Sequence, residues 1–184
     1  MKELSLNILD ITENSVKAGA KLTEITVEER GNHLTLTIKD DGCGMTPEIV
    51  ESVTDPFYTT RTTRKVGMGI PLLKLAAEQT GGSFGIVSKT QDNDGCHGTT
   101  VTAEFLSDSI DFTPLGDVIS TIVTLIQGHP ETDFLFRHIK DGGEVKLDTR
   151  ELRGILGDVP LNNYEVTKWI EGYLREQYDS FHSI

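Results

Sequence analysis

Two stretches of alternating apolar and polar residues, 23–30 and 34–39, are joined by Gly31-Asn32. No other feature restricts the fold as much. Ile25 and Val27 alternate with Thr26 and Glu28, and Leu34, Leu36 and Ile38 keep the same period of two, so the pair reads as a hairpin with one apolar face. A second strand pair, about residues 83–89 and 99–106, is joined by the polar turn Gln91-Asp92-Asn93-Asp94-Gly95. Helical segments surround these hairpins. Residues 4–18 carry Leu4, Ile8, Ile11 and Ser15 on one stripe and Asp10, Asn14 and Lys17 on another, and Gly19 ends them. Pro47 opens a short helix, and residues 70–80 form another, with Pro71 tolerated in its first turn and Gly81-Gly82 after it. The order αββα(loop)αββ predicts an α+β fold, an antiparallel or mixed sheet with helices packed on one face.

Residues 108–184 read as a second, smaller α+β unit appended to residues 1–107. Leu115 to Ile126 is helical, and Asp133–Ile139 with Glu144–Leu147 forms a hairpin around Asp141-Gly142-Gly143. Asp148 with Glu151 predicts a capping box opening a short helix. Asn162 with Glu165 opens a last helix, whose predicted buried stripe is Val166, Trp169, Ile170, Tyr173 and Leu174; Trp169 at this spacing reads as core.

Charge excludes several functions. The formal net charge of the 184 residues is −12, with ten Lys/Arg against fifteen Asp/Glu in residues 1–107 and seven against fourteen in residues 108–184. Neither half offers the basic surface that a phosphate backbone requires, so nucleic acid is not expected as a direct partner. No apolar run approaches the roughly 20 residues that span a bilayer, so no membrane partner is expected either. The N-terminus lacks a secretory apolar stretch. The two cysteines, Cys43 and Cys96, suggest no disulfide framework, and a reducing cytoplasm fits them best.

Four short segments occur in one order: Glu13-Asn14-Ser15, then Asp40-Asp41-Gly42-Cys43-Gly44, then Asp55-Pro56-Phe57-Tyr58-Thr59-Thr60-Arg61, then Gly67-Met68-Gly69. Asp10, Asn14 and Lys17, three and four residues apart, share a helix face. That face is either a solvated stripe or a metal and phosphate site, in which the Asn14 oxygen is a hard ligand suited to Mg²⁺ and Lys17 a point charge for phosphate. Asp40, at a strand end, either opens an ordinary Asp-Gly turn or accepts a hydrogen bond from the adenine amine, with Gly42 and Gly44 letting the backbone approach the base. Gly67-Met68-Gly69 leads into a helix, where successive N–H groups make an anion nest. No Gly-Lys-Ser/Thr follows, so it is not a Walker loop.

With these segments in place, residues 4–106 resemble the GHKL superfamily: the ATP-binding domains of sensor histidine kinases, the DNA gyrase B protein, Hsp90-type chaperones and the MutL repair protein. Asp10 to Ala20 and Asp40 to Gly44 are most similar to MutL. Asp55–Arg61 resembles the Phe-rich box of histidine kinases, and Gly67 through Gly82 their glycine box and following helix. The resemblance implies a Bergerat-type two-layer α/β sandwich that binds ATP with Mg²⁺. It implies that Asn14 holds the metal and Asp40 reads adenine, with Thr99 behind it. Gly42, Gly44, Met45, Gly67, Met68 and Gly69 line the pocket. Residues 55–66 form a lid that brings Thr60 or Arg61 near the phosphates. Lys65 stands where histidine kinases usually carry a further Gly, which predicts a shorter, more positive lid. No His-Glu-x-x-Thr-Pro-type phosphoacceptor helix is present, so the chain is not a complete histidine kinase.

Asp10, one helical turn before Asn14, stands where histidine kinases often have an amide and gyrase, MutL and the GHKL serine kinases have Glu. A hydroxyl or water benefits from a general base where neutral imidazole does not. Asp10 is therefore the candidate base with Lys17 as the second catalytic candidate, although holding a metal-bound water explains Asp10 equally well. Three functions follow: a protein kinase or phosphotransferase acting on a protein partner, an ATP-hydrolysing switch of MutL or gyrase type, or a non-catalytic ATP sensor. Residues 108–184 are read as a docking or homodimer contact.

Overall fold

The computed structural model describes residues 3–54, 68–90 and 97–181. Its elements run α1 (Leu4–Lys17), β1 (Leu22–Arg30), β2 (His33–Asp40), α2 (Pro47–Thr54), α3 (Gly69–Gln79), β3 (Ser83–Lys89), β4 (Gly98–Leu106), α4 (Val118–Gly128), β5 (Asp133–Lys140), β6 (Gly143–Asp148), α5 (Thr149–Leu156) and α6 (Tyr164–Phe181). The strands form one six-stranded sheet in the order β3-β4-β2-β1-β5-β6. All neighbours are antiparallel except β1 and β5, which makes the sheet mixed.

Alternation along each strand creates the core face. Ile86, Val101, Ile38, Ile25, Phe136 and Leu147 lie in register as one row crossing all six strands. Leu4, Ile8 and Ile11 of α1, Leu73 and Ala77 of α3, Ile122 and Leu125 of α4, and Ile170 and Leu174 of α6 close over this row in one continuous core. Each of the buried Leu, Ile, Val and Phe side chains among these contributes about 1.5–3 kcal/mol by leaving water. The opposite face is polar: Thr26, Thr37 and Thr102 are aligned across three strands, and Lys39 meets Glu24 at 3.0 Å.

The sheet continues past residue 107. β5 runs beside β1 from Leu22↔Asp133 to Glu29↔Lys140, and α1 is flanked by α3 on one side and α4 on the other. The segment before α4 also completes the start of α1: Leu4 N and Ser5 N donate to the Pro114 and Leu115 carbonyls at 2.9 and 2.8 Å, satisfying N–H groups that a helix start leaves open. Further along, buried His138 bonds Tyr178 Oη and Glu29 Oε1, both at 2.9 Å. Burial and the nearby Glu29 charge push the Tyr178 phenol well above its ordinary range.

Three local expectations change. Asp148 does cap α5, but it accepts from Arg150 N at 3.0 Å and holds the Arg150 guanidinium, while Glu151 turns instead to Lys146 at 2.8 Å, so the reciprocal capping box is not formed. The side-chain bond at the start of α6 comes from Asn163, whose Oδ1 accepts from Glu165 N at 2.9 Å, rather than from Asn162. On α6 itself the buried stripe is Val166, Ile170, Leu174 and Tyr178; Trp169 is 53% exposed and Tyr173 38%. A stripe drawn through 166, 170 and 174 leaves 169 and 173 on its exposed flank. Beside that flank, Gln177 bonds both backbone groups of Lys146 on the outer strand β6: its Oε1 accepts from Lys146 N at 2.9 Å and its Nε2 donates to Lys146 O at 3.0 Å.

Candidate functional site

β2 ends at Asp40, opposite Thr99 at the start of β4. Three donors converge on the Asp40 carboxylate. Gly42 N and Thr99 N reach Oδ1 at 2.9 and 3.2 Å, and the Ser15 hydroxyl of α1 reaches Oδ2 at 2.7 Å. A carboxylate has about four acceptor positions, so three fixed donors set its orientation and leave room for one more. Thr99 supports Asp40 through its backbone amide; its hydroxyl pairs with Ser88 Oγ at 2.8 Å.

The loop after Asp40 is tied on every side. Asp41 Oδ1 accepts from Lys21 N and Leu22 N at 2.7 and 3.0 Å. Cys43 N donates to Ala18 O at 2.9 Å, His97 Nδ1 lies 2.6 Å from Gly42 O, and Met45 N donates to Ser88 Oγ at 2.8 Å. The glycines serve this closure. Gly44 has φ +69°, and a Cβ there would collide with the Lys89 carbonyl at the end of β3; both the left-handed backbone and the close approach demand Gly. A Cβ on Gly42 would stand 2.9 Å from the Ala18 Cβ and 3.0 Å from Asp40 Oδ1.

α3 begins at Gly69 against α1. A Cβ on Gly69 would come within 2.8 Å of the Asp10 Cβ, with Asp10 Oδ2 at 3.5 Å, so this glycine allows the start of α3 to lie on the polar stripe of α1. Met68, at the N-cap position of α3, makes no side-chain capping bond among the described residues. Asp10 and Lys17 are exposed and Asn14 is half-buried. Glu13, one residue before Asn14, is held elsewhere: its Oε1 lies 2.6 Å from His129 Nε2, beyond the end of α4.

The structure thus joins Ser15, Gly42 and Thr99 to Asp40 in one hydrogen-bonded cluster, and separately sets Gly69 against Asp10 on the polar stripe of α1. Asn14 and Lys17 follow Asp10 on the same helix, Met45 is half-buried beside Ser88, and Met68 is exposed just before α3. Thr60, Arg61 and Gly67, with the rest of the expected lid, lie outside the described residues. Sequence reasoning missed Ser15, Ser88 and His97 as site residues. Ser15 carried a signal: it was the polar member of the stripe Leu4, Ile8, Ile11, and a hydroxyl on a buried stripe needs a partner.

Residues 2–109, more than half of the chain, match the family described as histidine kinase-, DNA gyrase B-, and HSP90-like ATPases, and the chain belongs to that family. Among particular relatives, the sensor protein SrrB of Staphylococcus aureus is 32% identical over 94 residues, which are 48% of this chain and 16% of that protein. The chain thus spans about one sixth of the length of this relative. Among solved structures, the N-terminal domain of a DNA repair protein superposes with a TM-score of 0.58 at 16% identity, covering 80% of this chain and 53% of that one. The Aquifex aeolicus MutL ATPase domain, solved with ADP, gives 0.54 at 14% identity over 94% of this chain and 88% of that one. These superpositions show a shared fold. Among the described residues no helix is long and apolar enough to cross a membrane.

Proposed function

We propose that this chain binds Mg·ATP on the side of α1 facing Asp40 and transfers the terminal phosphoryl group to a hydroxyl of a partner protein in the cytoplasm. The observation that carries the reading is the Asp40 carboxylate, oriented by Ser15, Gly42 N and Thr99 N. Its remaining acceptor position suits the adenine exocyclic amine, which guanine lacks at that place. The start of α3 would supply N–H groups for phosphate, and Lys17 a cation.

The donor set suits magnesium. Magnesium keeps waters and phosphates and takes one or two hard oxygens from protein, and the half-buried Asn14 carries one such oxygen. Asn14 would hold the ion. Bound there, Mg²⁺ would neutralise phosphate charge. Asp10, beside the start of α3, would take the proton from the attacking hydroxyl.

Two variants test these roles. Asn14→Ala is expected to weaken Mg·ATP binding roughly a hundredfold by isothermal titration; unchanged affinity removes Asn14 as the metal ligand. Asp10→Asn is expected to bind Mg·ATP normally while turnover falls about 10²–10⁴-fold, and full activity in that variant removes Asp10 as the base.

A second reading is an ATP-hydrolysing switch. The observation favouring it is the continuity of the second half with the site helix, through β1–β5 pairing, α4 packed on α1, and the Glu13–His129 contact. Incubation with γ-labelled ATP and a cell extract separates the outcomes. Label on protein supports phosphotransfer, free phosphate supports the switch, and neither product supports a non-catalytic sensor.

A further inference from the structure

The exposed flank of α6 carries aromatic residues that the core does not use. Trp169 and Tyr173, four residues apart, stack with their ring centroids 5.0 Å apart and planes 10° from parallel. Tyr164, near the start of the helix, is 64% exposed, and Lys168 Nζ lies 5.1 Å from its ring centroid. Single exposed apolar residues are ordinary. A stacked pair is different, because its geometry is fixed before anything binds and large rigid rings are the usual anchors of protein interfaces.

The pair leads into a groove. Tyr173 forms one end of a depression of about 310 Å³ between α6 and the start of β6, whose walls include Glu144, Glu176, Gln177 and Phe181. Glu176 lies one turn beyond Tyr173, and Glu165 one turn before Trp169. Among the described residues neither carboxylate forms an ion pair, whereas Glu144 is held by Arg137 at 2.5 Å and Glu171 by Arg175 at 2.6 Å. The platform is therefore aromatic at its centre and acidic at both ends.

We infer that the Trp169–Tyr173 platform and the groove beside Glu176 form a docking surface for an arginine-bearing segment of a partner protein. Charge selects the occupant. A second copy of this chain, at net charge −12, would bring carboxylates against carboxylates. An anionic membrane or a nucleic acid would be repelled in the same way. A guanidinium satisfies both halves of the surface: its plane stacks on an indole or phenol face, and its fork pairs with a carboxylate. An ammonium offers only a point charge. The surface does not depend on whether the phosphoryl acceptor is a protein hydroxyl or water.

The test uses the full chain, whose single tryptophan is Trp169, so its fluorescence reports on the platform directly. The probe is a synthetic peptide of five arginines spaced by Gly-Ser, with lysine and glutamate counterparts as controls. The arginine peptide is expected to change Trp169 emission and to bind about fivefold more tightly than the lysine peptide. Tyr173→Ala and the milder Glu176→Gln are each expected to weaken it about fivefold, whereas Glu48→Gln on α2 leaves affinity unchanged. Equal affinity for the arginine and lysine peptides, binding that leaves Trp169 emission unaltered, or full affinity in Glu176→Gln overturns the inference. So does a concentration-dependent dimer, seen by sedimentation, that shields Trp169 without any peptide.

Discussion

An Asp40→Asn variant is expected to lose adenine-nucleotide affinity by about a hundredfold, read by isothermal titration, while the fold survives. The substitution keeps a carbonyl oxygen for both Gly42 N and Thr99 N, but it replaces the oxygen facing Ser15 with an NH₂ group. That group cannot accept from the Ser15 hydroxyl or from an adenine amine. A hydrogen bond to a charged group contributes about 1.5–3 kcal/mol, while the Ser15 hydroxyl keeps the Ile11 carbonyl as an acceptor. Ser15→Ala in the same experiment isolates the orienting contribution, because it removes one of the three donors and leaves the acceptor charge intact. Wild-type affinity in Asp40→Asn would refute adenine reading by this carboxylate.

The second large effect concerns the boundary near residue 107. A chain ending there is expected to lack a cooperative thermal transition by circular dichroism and to aggregate. Ending at 107 removes β5 from the whole length of β1, leaving a nine-residue strand as an open edge, an arrangement that invites pairing with other chains. It also uncovers the side of α1 that packs on α4, and it takes away the Pro114 and Leu115 carbonyls that receive the first N–H groups of α1. Helix α1 would lose support at one end and along one side. A fragment that melted cooperatively near the temperature of the full chain would show instead that residues 1–107 form a self-sufficient unit and 108–184 a separate appendage.

The contrast between those outcomes reflects what a sequence can display. Both early hairpins were legible because each depends on neighbours in the chain: a period of two on either side of Gly31-Asn32 needs nothing distant to be read. The β1–β5 pairing joins Leu22 to Asp133 through a long crossover, and parallel pairing leaves no turn signature at either strand. The extension of the sheet was therefore invisible, although both of its strands were found. Within the site, Asp40, Gly42 and Thr99 were singled out through the family resemblance rather than by local pattern alone, and Ser15, Ser88 and His97 act through contacts 11 to 55 positions away along the chain, beyond the reach of local pattern. Around Asp148 the difficulty was competing charges: the Arg150 guanidinium takes the Asp148 carboxylate and Lys146 takes Glu151, so neither half of the capping box is free to close. Trp169 misled for another reason. Helical spacing shows which residues share a stripe, but the width of what lies beneath decides how much of that stripe is covered.

Gln177 gives the outer margin of the sheet a particular character. By occupying both main-chain groups of Lys146, its amide stands in for the strand that would otherwise be recruited there, so assembly by strand addition is blocked at that point. A visitor to this side of the molecule must be recognised by ring faces and carboxylates, which discriminate between side chains, rather than by peptide groups, which every protein shares.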